Sequence, residues 1–221
     1  MFLGLSNLER LHLHSNGIDQ INGAWFSNMG DLGTLDMGSN HITKLEADTF
    51  TRSNLQNLQT LDLSNNFIEY IARQALRGFP ALSWLDLSRN RLSGMDNSFS
   101  HLSKLSVLNL SLNQWKCTCP LQELAVFLRN FIKNPNRTLT NSRGLVCEIA
   151  ESAEVQTVLQ LTGTNCASQY RNTTVMVIKG SGRNYVRDVV LAGILCFAGN
   201  VHPARPVALI TELGILPLST S

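Results

Sequence analysis

The sequence predicts an α/β solenoid, a stack of similar coils that each give one short strand to a shared parallel sheet. Three observations carry this. The stretch Leu58-x-x-Leu61-x-Leu63-x-x-Asn66-x-Ile68 sets apolar residues at strand spacing, then an asparagine, then a further apolar residue. The same pattern starts again at Leu8, Leu32, Leu82 and Leu105, so successive copies begin 24, 26, 24 and 23 residues apart. Past Asn113 the pattern stops, and a cysteine-bearing segment with helical periodicity takes over. A period of about 20–29 residues suits a coil made of one strand and a short return segment.

Each element follows from residue type. In the strand, Leu61 and Leu63 face the core, while Thr60, Asp62 and Ser64 face away. Asn66 turns the chain, and its amide can satisfy backbone groups that the turn leaves unpaired. Met1 to Asn7 reads as the end of an upstream repeat, which makes the chain a fragment, with the repeats proper over 8–114. Phe2-Leu3-Gly4-Leu5 is far too short for a secretory h-region. In the return segments, Phe26 and Met29, Phe50 and Leu55, Leu76 and Phe79, then Phe99 and Leu102 come back to the core at intervals near four. Such spacing predicts short helices or 3₁₀ turns. The extra residues of the second repeat, Thr51 to Asn57, are expected to bulge on the convex side.

The closing segment reads Asn113-Gln-Trp115-Lys-Cys117-Thr-Cys119-Pro120, with Leu124, Phe127, Leu128 and Phe131 at helical spacing and Cys147 and Cys166 beyond. With the five repeats, it resembles the extracellular leucine-rich repeat (LRR) family whose members carry a C-terminal cysteine-rich cap. The likeness runs from about Leu8 to Cys166, and the cap motif is more specific than any single repeat. The resemblance implies a right-handed horseshoe with a parallel concave sheet and a disulfide cap over 115–166. It also implies the pairs Cys117–Cys147 and Cys119–Cys166. The residues alone leave three pairings open. Four thiolates on zinc are the rival, disfavoured because the usual tight second C-x-x-C pair is missing.

Beyond the cap, 167–188 reads as a polar stalk. Residues 189–199 are apolar but span eleven positions, about 16 Å as a helix against about 30 Å of hydrocarbon. This is read as the start of a membrane anchor whose continuation has been replaced, with an irregular tail over 200–221. Three N-x-[S/T] sequons, at Asn109, Asn136 and Asn172, point to the secretory route, that is, an extracellular or plasma-membrane parent protein.

Composition narrows the function. Only 15% of the 221 residues are charged, the formal net charge is +2, and no basic stripe marks a nucleic-acid partner. No nucleophile elbow, phosphate loop or dinucleotide fingerprint occurs, so neither enzyme nor cofactor is expected. His12, His14 and Asp36 are one metal candidate, but solvated surface side chains explain them more simply. Recognition remains. The expected concave face carries one column of Arg10, Thr34, Thr60, Trp84 and Val107, and another of His12, Asp36, Asp62, Asp86 and Asn109. Trp84 with Asp62, Asp86, Asp36, Thr60 and His12 forms the expected binding site, since a large aromatic on an open strand face is the type enriched at hot spots. The expected partner is a protein ligand or co-receptor. The alternatives are an innate immune-type receptor for a non-protein ligand and an intracellular scaffold.

Overall fold

The computed structural model describes residues 5–95, 99–149 and 155–162, together with the backbone of 209–211 and 214–216. Two compact units are present, Met1–Cys166 and Ala167–Ser221. In the first, the strands are β1 (Arg10–His12), β2 (Thr34–Asp36), β3 (Lys44–Leu45), β4 (Thr60–Asp62), β5 (Tyr70–Ile71), β6 (Trp84–Asp86), β7 (Val107–Asn109) and β8 (Trp115–Lys116). The helix α1 (Leu121–Phe131) follows, then β9 (Thr138–Thr140), β10 (Val146–Glu148) and β11 (Val155–Thr157). The second unit contains an antiparallel pair, β12 (Leu209–Thr211) with β13 (Gly214–Leu216), within a tail expected to be irregular.

Six strands form one parallel sheet in the order β1-β2-β4-β6-β7-β9. Their register repeats without a slip: Leu11, Leu35, Leu61, Leu85, Leu108 and Leu139 face one another as central residues. Leu35, Leu61, Leu85 and Leu108 are wholly buried. Their neighbours on either side in each strand point to the opposite face, as a period of two requires, and there Asn109 is the one that is buried. The sixth strand is a departure. Thr138–Thr140 belongs to the segment read as cap, yet it extends the repeat sheet beside β7. The 31-residue step from Leu108 to Leu139 hid it, because α1 is inserted between them.

An asparagine holds each coil to the next. The Asn66 amide N–H groups donate to the carbonyls of Met37, Leu63 and Ser64, and its Oδ1 accepts from the Ile42 N–H in the preceding coil. Asn40, Asn90 and Asn113 repeat this arrangement. Just before each asparagine the backbone turns left-handed, at Ser15, Ser39, Asn65, Arg89 and Leu112, with φ between 52° and 58°. Asn141, with φ 50°, does the same after β9. One left-handed residue per coil, mostly without the ease of glycine or asparagine, is strain the stack sustains.

The return segments form a spine opposite the sheet. Phe26, Phe50, Phe79 and Phe99 are buried, and Phe50 meets Phe79 edge to face at 4.9 Å. Only Gly23–Phe26 is a 3₁₀ helix among these described segments; the others are turns. At Gly23 an added Cβ would sit 2.7 Å from the Thr49 carbonyl, so close coil packing demands glycine there. The expected bulge at Thr51 to Asn57 is anchored rather than loose. Leu55 is fully buried, and the Asn54 N–H donates to the Phe26 carbonyl.

The end of the stack is covered by α1, which buries Leu121, Leu124, Ala125, Leu128 and Phe131 at i, i+3, i+4, i+7, i+10 spacing. Trp115, 1% exposed, lies beneath and donates from its indole N–H to the Leu110 carbonyl. Arg129 ties the helix to the carbonyls of Leu159 and Leu161. Cys117 and Cys147 form a disulfide that joins β8 to β10, which removes the four-thiolate zinc alternative. Cys119 is half-buried, and its implied pairing with Cys166 lies outside the described residues. No described helix is long and apolar enough to cross a membrane, and the segment 189–199 lies outside the described residues.

Candidate recognition face

The open face of the six-stranded sheet is the face expected to be concave. Register places Arg10, Thr34, Thr60, Trp84, Val107 and Thr138 side by side in one column. His12, Asp36, Asp62, Asp86, Asn109 and Thr140 form the second. The structure thus brings together all six residues of the expected site. Thr60, Trp84, Asp36, Asp62 and Asp86 are half-buried and His12 is exposed. Trp84 stands between Thr60 and Val107, both also half-buried, so part of the indole packs along the column and part stays open to solvent.

The aspartates have a second task that the sequence did not show. Asp62 Oδ1 accepts from the Ser64 N–H at 2.8 Å, and Asp86 Oδ1 accepts from the Ser88 N–H at the same distance. Asp36 Oδ1 accepts from the Gly38 N–H at 3.0 Å. Each carboxylate closes the turn that ends its strand. The outer oxygens then differ. Asp86 Oδ2 accepts from the Asn109 amide at 2.8 Å, and Asp36 Oδ2 lies 3.4 Å from His12 Nδ1. Asp62 Oδ2 has no partner among the described residues, which leaves it available to a ligand.

His14 Nδ1 lies 3.5 Å from the other oxygen of Asp36, so two imidazoles flank one carboxylate. Partial burial pushes the Asp36 carboxyl up, but the Gly38 N–H, His12 and His14 outweigh it and hold it below the ordinary carboxylate range. Among the described residues no group of three or more such side chains has an arrangement suited to a metal ion.

The pattern described as Leucine rich repeat matches residues 6–56 and 32–92. The chain thus carries leucine-rich repeats over residues 6–92. It is 44% identical over 116 residues to leucine-rich repeat-containing protein 53 of Macaca fascicularis, which covers 52% of this chain and 23% of that one. It is 34% identical over 138 residues to lumican of Gallus gallus, covering 61% of this chain and 38% of that protein. A solved structure described as a TLR13–ssRNA13 complex is 35% identical, covers 52% of this chain and 16% of that one, and gives a TM-score of 0.49. The chain therefore spans well under half the length of these curated relatives.

The three sequons of this leucine-rich repeat chain differ in environment. Asn109 is 7% exposed, its amide donates to Asp86, and its Oδ1 accepts from the Ser111 backbone and hydroxyl. A glycan would replace a hydrogen on an amide nitrogen that is buried and donates to Asp86, so the folded sheet disfavours it. Asn136 is exposed, on the turn before β9. Asn172 lies outside the described residues. Peptide mapping of secreted material is expected to find glycan on Asn136 and an unmodified Asn109. A glycan on most copies of Asn109 would contradict the buried amide.

Proposed function

We propose that this chain is the protein-recognition module of a cell-surface or secreted leucine-rich repeat protein, and that it binds a protein ligand or co-receptor through the open face of the sheet. The single observation that carries this is Trp84, a half-open indole in a column that is polar apart from it and Val107. Tryptophan in such a position supplies contact area at little entropic cost. The parallel sheet behind it is preformed, so binding requires little ordering. The column of Asp36, Asp62 and Asp86 repels a phosphate polymer and favours a polypeptide. The buried Cys117–Cys147 bond supports an oxidising compartment and disfavours an intracellular scaffold.

The test is a screen of the secreted chain against a panel of purified cell-surface ectodomains, repeated with Trp84→Ala. Loss of about 2 kcal/mol or more in binding, with melting temperature unchanged, is the expected result. A Trp84→Ala protein that binds its partner with wild-type affinity places the site on another surface.

A further inference from the structure

We propose that the partner presents a basic, extended segment, with one lysine or arginine seated in a polar hollow over β1, β2 and β4 and a second lying over Trp84 towards Asp62. This rests on the open-face reading above and names the chemistry of the partner.

The hollow has a volume of about 510 Å³ and is lined by Glu9, Arg10, Asp31, Gly33, Gln59 and Thr60, among others. Gly33 creates it. In the other coils, the residue before the strand is Glu9, Gln59, Ser83 or Ser106, each with a side chain. Gly33 does not adopt a positive φ, and a Cβ built there would meet only the Glu9 carbonyl, at an ordinary 3.7 Å. Neither the backbone nor the packing needs glycine, in contrast to Gly23. What the glycine supplies is space beside the start of β2.

The charges around that space are exposed to solvent and have no protein partner among the described residues. Among the described residues, the side chains of Glu9, Arg10 and Asp31 take part in no ion pair or hydrogen bond. The face continues with Asp36, Asp62 and Asp86, so over the first four strands five carboxylates stand against one guanidinium. The whole chain carries a net +2, which makes this face a local reversal of sign. Complementary charge selects a cationic partner and speeds its association.

Spacing follows from the register. Trp84 on β6 is two strands from Thr34 on β2, about 10 Å at the usual interstrand distance. A polyproline II segment returns to the same side every three residues, after about 9 Å. Basic residues at i and i+3 would therefore reach the hollow and the indole together. A cation over Trp84 gains from the ring, and the unpartnered Asp62 Oδ2 is on the adjoining strand.

The probe is a short fluorescein-labelled peptide with arginine at every third position in a proline-alanine background, titrated against the full secreted chain by fluorescence polarisation. Gly33→Gln fills the hollow, and Asp62→Asn removes charge but keeps the Oδ1 acceptor for Ser64. Each is expected to weaken the peptide at least about tenfold without changing the melting temperature, in line with the loss of a buried or charge-paired contact. Asp48→Asn, outside the sheet, is expected to change nothing. A peptide with glutamate in place of arginine is expected not to bind. Failure of the arginine peptide to bind, or binding indifferent to both variants, overturns the proposal. So does a neutral oligosaccharide that binds instead and is lost on Gly33→Gln. A protein partner lost on Trp84→Ala but unaffected by Gly33→Gln and Asp62→Asn overturns the basic segment alone and leaves the open-face reading standing. Arginine-peptide binding that both variants weaken, beside a protein partner indifferent to Trp84→Ala, supports the hollow and overturns that reading instead.

Discussion

Asn66→Ala is expected to lower unfolding free energy by about 3–5 kcal/mol, enough to remove much of the margin of an ordinary domain. The side chain is 4% exposed and bonds one N–H and three carbonyls, on both its own coil and the one before. Alanine leaves those groups buried without water or partner, at about 1–3 kcal/mol for each that stays unsatisfied. The three carbonyls share two amide hydrogens, so the losses do not simply add. The comparison that isolates this effect is Asn16→Ala. Asn16 is exposed, and its side chain donates only to the His14 carbonyl at 2.9 Å. Urea unfolding followed by circular dichroism should show a large fall in midpoint for Asn66→Ala and less than about 1 kcal/mol for Asn16→Ala. Equal shifts would mean that the asparagine column is not what binds coil to coil.

Replacing both Cys117 and Cys147 by serine is expected to cost about 3–4 kcal/mol, from the entropy regained by a loop of about thirty residues in the unfolded chain. The sulfurs are buried, and the bond pins β8 against β10, where the Cys117 N–H also donates to the Glu148 carbonyl. Contacts in a solenoid pass mainly between neighbouring coils. The loss should therefore appear first at the C-terminal end. In hydrogen exchange, amides of Trp115–Lys116 and Val146–Glu148 should lose protection before those of β1 to β6. Uniform loss of protection along the sheet, or a melting temperature within a degree or so of wild type, would show that helix packing over Trp115 closes the stack without the disulfide.

The proposed recognition face and the carboxylates that close the strand turns share residues, and this shapes how the proposal can be tested. Asp62→Lys would remove the acceptor of the Ser64 N–H as well as the charge. A weakened partner would then say nothing about which was lost. Asp62→Asn separates the two.

The sequence by itself determined the repeat and therefore the core. Leu35, Leu61 and Leu85 are buried for the reason their spacing shows, since a strand alternates faces every residue and the pattern marks which face is apolar. The turn asparagines were legible too, because a buried turn needs an amide that both donates and accepts. Helix α1 was visible in the period of Leu124, Leu128 and Phe131. Only the tertiary structure decided what the open face does with its polar atoms. That Asp86 Oδ2 takes the Asn109 amide, that Asp62 Oδ2 stays unpartnered, and that Gly33 opens a hollow between Glu9 and Gln59 all depend on side chains more than twenty residues apart lying in register. The same holds for Thr138–Thr140, which joins the sheet across an intervening helix. A local pattern fixes the direction in which a residue points, but its neighbour on the next coil is fixed only when the coils stack.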